Sequence, residues 1–195
     1  MYLSQKYYLM KIALYITGFL IFLNSCTIIT STNAPGKPEK AFPKSMVGNY
    51  ELIYPESFQG MMEGTEMKTT VVIKSDELIM NSGEGDSHKK INDSISVNKL
   101  GKDYYLCMGK APVLNVFKVL KKGKDLELHS MNAKEGVTAD QLKPFFSQVT
   151  TNTDTDEETG EITESYVVTI DDSKIDGYYK SDIIHVEPFT LKRKK

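Results

Sequence analysis

From residue 46 onward, short runs rich in Val, Ile, Leu and Tyr recur between turn signals. That is the spacing of an antiparallel all-β domain. The pattern predicts strands over residues 47–54, 68–74, 77–81, 91–98, 104–108, 113–120, 125–131, 161–170 and 181–191. The clearest hairpin covers 116–129, where Lys122-Gly123-Lys124 turns between two runs. Leu126 and Leu128 alternate there with Glu127 and His129, so the leucines face inward and their neighbours face outward or into a lumen. A second hairpin brackets Asp154 to Gly160.

One helical signal interrupts the strands. Thr138-Ala139-Asp140-Gln141 has the order of a capping box, and Leu142, Phe145, Phe146 and Val149 follow at helical spacing. Pro144 lacks the N–H that would bond the Asp140 carbonyl, so a kink or restart is expected there. The two Phe side chains are expected to pack this short helix on the sheet. The fold class expected is therefore all-β, a barrel or sandwich of about 8–9 antiparallel strands with one short helix.

The first 45 residues follow another pattern. Lys6 and Lys11 flank the start, no acid occurs before position 26, and residues 12–23 are apolar apart from Thr17 and Gly18. The run falls short of the ~20 apolar residues of a membrane-spanning helix and has the order of a secretory signal. Residues 27–44 hold Pro35, Pro38 and Pro43 among small and polar residues, a composition expected to form a flexible tether. The division expected is a cleaved signal over 1–25, a tether over 26–45 and a β domain over 46–195.

Leu23-Asn24-Ser25-Cys26 resembles the lipobox of bacterial lipoproteins. The resemblance implies cleavage before Cys26 and a lipid anchor on it; Thr27 after the Cys, in place of Asp, implies the outer membrane. Each buried acyl methylene contributes ~0.8 kcal/mol, so two or three chains hold firmly where one binds only marginally. Gly48-Asn49-Tyr50 at the first domain strand, with the strand count and late helix, resembles the lipocalin-like domains of small bacterial lipoproteins. Tyr50 stands where that family has Trp, and the chain contains no Trp.

Charge narrows the partners. Removing residues 1–25 takes two Lys and no acid, leaving 22 basic against 26 acidic residues, a charge of −4. A nucleic-acid partner would want a net basic face, so none is expected. About 170 residues suffice for one domain with a real core. Of the two Cys, a lipidated Cys26 leaves Cys107 without a partner in the chain. Its run Tyr104-Tyr105-Leu106-Cys107-Met108 reads as a strand holding an inert, buried thiol.

Candidate chemistry is sparse. Gly85-Asp86-Ser87 resembles the nucleophile block of the GDSL, or SGNH, hydrolases, and Asp182-Ile183-Ile184-His185 their Asp-x-x-His block. The resemblance implies Ser87 as nucleophile, His185 as base and Asp182 as its orienter. That family is α/β, whereas this chain lacks the alternating helices of a parallel sheet. A polar, glycine-rich turn explains residues 81–87 as well, and a strand would put Asp182 and His185 on opposite faces. Asp154, Asp156 and Glu158 alternate as a hard cation would select, yet EF-hand spacing is absent, and an acidic hairpin tip fits the same residues. Lys192-Arg193-Lys194-Lys195 is a basic run suited to anionic headgroups or to solvent.

The function expected is a non-catalytic, lipid-anchored envelope domain that needs no cofactor and binds a small apolar or amphipathic ligand in a barrel cavity. Tyr50, Tyr104, Tyr105, Phe117, Phe145 and Phe146 are its candidate lining. The alternatives are a ligand-free module docking on another envelope protein and, third, the GDSL-like esterase.

Overall fold

The computed structural model describes residues 26–56, 69–82, 85–91, 94–155, 162–184 and 187–194. Strands β1 (Cys26–Ser31) and β2 (Lys37–Pro38) precede a meander of β3 (Gly48–Ile53), β4 (Thr69–Ile73), β5 (Glu77–Asn81), β6 (Asp86–Lys90), β7 (Ile95–Leu100), β8 (Asp103–Lys110), β9 (Val113–Lys122) and β10 (Asp125–Ser130). Then come β11 (Ala133–Lys134), helix α1 (Ala139–Leu142), β12 (Phe146–Thr155), β13 (Ile162–Ile170), helix α2 (Ile175–Tyr178) and β14 (Phe189–Arg193).

The meander curls because β14 pairs antiparallel with both β10 and β3, joining its two ends. Between β6 and β7 the ladder is reduced to a bridge from Ile91 to Ile95, so the barrel is incompletely closed. Residues 37–46 run across that end. Lys37 pairs with Lys99, the Glu39 N–H donates to the Val97 carbonyl and the Phe42 N–H donates to the Ser75 carbonyl, each at 2.7 Å for the latter two. Phe42 and Met46 are thereby carried into the barrel core.

A second layer covers the outside of β7–β9. β1 lies parallel to β13 along Ile28–Ser31, touches β9 at Leu114 and pairs with β11 at its start. The sequence of β8 shows why two cores form. Leu106 faces the barrel interior, while Tyr105 and Cys107 face the second core. Alternate residues point to opposite faces, so a strand buried on both reads as an uninterrupted apolar run. Each fully buried Leu, Ile or Val contributes roughly 1.5–3 kcal/mol relative to exposure.

Three expectations need correction. The segment 26–45, expected as a tether, is part of the fold: Ile29 is 2% exposed, Ser31 is fully buried and Phe42 is 5% exposed. Its polar residues are structural, since Ser31 Oγ donates to the Val168 carbonyl at 3.2 Å and Asn33 bonds both the N–H and the carbonyl of Ile170. The helix after Thr138 is four residues long. Gln141 Oε1 accepts the Thr138 N–H at 2.9 Å, but Pro144 stops propagation. Phe146 and Val149 consequently lie on β12, which the run of β-branched threonines favours. Finally, the strand expected over 181–191 begins only at Phe189, and Asp182 sits in the turn after α2.

Candidate functional site

Among the described residues the barrel interior is filled by side chains. Tyr50, Val71, Ile73, Leu78, Val97, Leu106, Val119, Leu126 and Leu191 project into it and are buried. A void lined by Phe42, Met46 and eight aliphatic residues, from Ile73 to Leu191, is about 10 Å³, and its lining is wholly apolar. That is roughly the room one water-sized sphere takes, against ~300–1,000 Å³ for a usual ligand site. At the base, the Tyr50 hydroxyl donates to the Met46 carbonyl at 2.8 Å and the Arg193 guanidinium lies 5.6 Å from the ring centre. Burial raises the Tyr50 hydroxyl pKa, and Arg193 opposes that push. A Cβ at Gly48 would stand 2.5 Å from the Arg193 guanidinium, which bonds the Val47 carbonyl, so a side chain there would displace that guanidinium.

The six aromatic candidates are split between two cores. Tyr50, Tyr104 and Phe117 belong to the barrel interior; Phe117 meets Phe189 edge-on with ring centres 6.5 Å apart. Tyr105, Phe145 and Phe146 belong to the second layer, where both Phe rings pack on Tyr178. Among the described residues they belong to two separate cores.

The chemistry that sequence reading missed lies on the outer face of β9. Lys118 is 8% exposed, and its ammonium stands 2.9 Å from Asp103 Oδ2 and 2.9 Å from Asp176 Oδ1. Asp176, on α2, also binds Lys180. Burial alone pulls the Lys118 pKa down, but the two carboxylates outweigh it and hold the amine above its ordinary value. Hydrogen bonds from Lys180 and Lys118 pull Asp176 down to about 2. Lys118 also lies 5.5 Å from the Tyr179 ring centre. The Tyr179 hydroxyl is buried without a hydrogen-bond partner of normal geometry. The nearby Lys118 backbone offsets only part of the rise that burial causes in its pKa. A lysine kept protonated in this way is no nucleophile at neutral pH; it ties α2 and the start of β8 to β9. The signal was faint but present: a lone Lys between Phe117 and Val119 in an otherwise apolar run.

The remaining candidates do not converge. Ser87 is exposed on β6 opposite Met80, at a free edge of the sheet, and Asp182 is exposed in the turn leading to Ile184, which bridges to Ala133. These elements share no strand pairing. His185, Asp156 and Glu158 lie outside the described residues. Asp154 is exposed near the end of β12, and among the described residues no cluster of three His, Cys, Asp or Glu is placed to hold a metal ion. Cys107 is 1% exposed, and burial pushes its thiol up to about 12 against a bond from Ser96. The Cys26 backbone pairs with Lys134 at the first position of β1.

Among the described residues the path has two free edges, and they differ. β6 carries His88, Lys89 and Lys90, charges of the kind that discourage strand addition. β12 pairs with β13 on one side and has no strand partner on the other among the described residues. From Ser147 to Thr155 it is exposed except at Val149, and it contains neither Lys nor Pro. No family model, curated protein or solved structure matches this chain.

Proposed function

We propose that the chain is a non-catalytic, lipid-anchored protein of the cell envelope that docks on another envelope protein by pairing a strand with β12. The observation that carries this reading is the contrast between a filled barrel interior and a ten-residue strand with an unguarded edge. Backbone hydrogen bonds along such an edge supply affinity, and alternate side chains supply selectivity. Asp154 on β12 and Glu164 on β13 are both exposed toward the hairpin end, so the partner strand is one bearing basic residues there. Lipidation of Cys26 and export to the outer membrane belong to the same reading and rest on the lipobox resemblance.

Site-specific photo-crosslinking in living cells tests it. A photoreactive side chain at Thr151 is expected to yield a discrete protein adduct, and one at His88 none. The double change Thr151→Lys with Thr153→Lys should abolish that adduct; if the adduct persists, docking does not use this edge. The all-apolar lining of the barrel interior sustains a second reading, a small apolar ligand that displaces Met46 and Phe42. Stoichiometric recovery of such a ligand would favour it.

A further inference from the structure

The strand ends gather positive charge at one end of the barrel. The register brings the β9–β10 turn, with Lys122 opposite Asp125, beside the end of β14, where Arg193 pairs with Tyr50. It brings the β7–β8 turn to the same end, since Lys99 pairs with Tyr104 and Tyr104 with Val119. Lys102, Lys121, Lys124 and Lys194 are exposed there and have no carboxylate partner among the described residues. Of the nearby acids, Asp76 is exposed and bonds only the Ser75 hydroxyl, while three others are engaged. Asp125 accepts the Arg193 backbone N–H at 2.8 Å, Asp103 holds Lys118, and Glu77 holds Lys74 at 3.1 Å and His88 at 2.8 Å. The chain as a whole carries a charge of −2, so this end is a local excess and not a reflection of composition.

We propose that this basic end is a contact surface for anionic lipid headgroups. The kind of cation selects the partner. Arg193, the one arginine of the chain, is turned inward onto Tyr50 and Val47, leaving only lysines to face outward. Lysine ammonium groups are mobile point charges that suit a diffuse array of headgroups, whereas nucleic acids and structured phosphate sites favour the planar fork of arginine. The lysines sit on separate turns around one end, an arrangement that meets a flat surface at several points. Attraction of this kind acts with or without a lipid on Cys26 and adds to one, because lipid chains and basic patches combine as independent membrane signals.

Vesicle partitioning of the full chain carrying Cys26→Ser is the test, since that substitution removes the lipid while keeping every lysine. Vesicles of phosphatidylcholine alone are compared with vesicles containing phosphatidylglycerol, so that charge-indifferent binding through the apolar segment at 12–23 cancels. The chain is expected to prefer the anionic vesicles and to lose that preference as salt shortens the screening length. Each lysine near such a surface is worth about a fivefold change in partitioning, so Lys102→Glu, Lys121→Glu and Lys124→Glu together should lower it at least about 100-fold. Lys110→Glu, Lys134→Glu and Lys143→Glu make the same change in net charge away from this end, Lys110 lying at the opposite end of β8, and should have little effect. Equal binding to both vesicle types, or equal loss in the two triple variants, overturns the proposal; an acidic protein partner would then fit the patch. Fatty-acid labelling of the unsubstituted chain in cells tests Cys26 lipidation separately.

Discussion

Replacing Lys118 with Met keeps the apolar stem of a buried side chain and removes its charge, leaving Asp103 and Asp176 facing each other's charge without the ammonium between them. Removing one partner of a fully buried ion pair costs about 3–5 kcal/mol. Here the figure is lower, because the side chain of Asp176 is 47% exposed and retains Lys180, while that of Asp103 is 21% exposed. About 2–3 kcal/mol remains once solvent screening is allowed for. For a domain of about 170 residues this lowers Tm by roughly 4–12 °C in a calorimetric or circular-dichroism melt. Removing all three charges, as Lys118→Met with Asp103→Asn and Asp176→Asn, should restore at least half of the loss, since no charge is then left unpaired. The pH profile supplies an independent check. Asp176 titrates at about 2, below an unfolded carboxylate, so its contribution is present above pH ~4 and is lost as pH falls toward 2. The raised Lys118 pKa has the opposite sense, with its contribution present below pH ~10.4 and lost as pH rises past the folded value. Lys118→Met should flatten both limbs. A cost below about 0.5 kcal/mol, the size of an ordinary surface substitution, would refute the clamp.

Deleting residues 26–45 removes Ile29, Ser31 and Phe42 from the two cores, and the remaining chain should show no cooperative melt; an unchanged Tm would restore the tether reading. Cys107 should resist a thiol reagent at pH 8 until the protein unfolds, because burial holds its pKa at about 12; rapid labelling of the native protein would contradict that environment. The chain should incorporate a labelled fatty acid in cells and its Cys26→Ala variant should not; label retained by the variant, or absent from the unsubstituted chain, would dismiss the lipobox resemblance.

The parts of the fold legible in the sequence are those with alternating apolar residues. The 77–81 strand and the Lys122-Gly123-Lys124 hairpin are found where the pattern puts them. The parts that escaped are held by polar chemistry that periodicity does not register. β6 reads Asp-Ser-His-Lys-Lys and β12 is almost wholly polar, because each is an edge strand exposed over most of its length. β1 was hidden in a stretch of small and proline residues, since Ser31 and Asn33 bind backbone groups of β13 that lie far along the chain. The Lys118 clamp joins residues 103, 118 and 176, which no local spacing relates. The aromatic candidates were recognisable as buried, but a strand covered on both faces sends neighbours such as Tyr104 and Tyr105 into different cores.

Native mass spectrometry of the protein purified from cells, followed by organic extraction, tests most directly the reading of a filled barrel that acts through its surface. The expected spectrum contains the polypeptide and no stoichiometric small molecule bound non-covalently. A bound amphiphile at one copy per chain would contradict that reading and make the barrel interior the functional site.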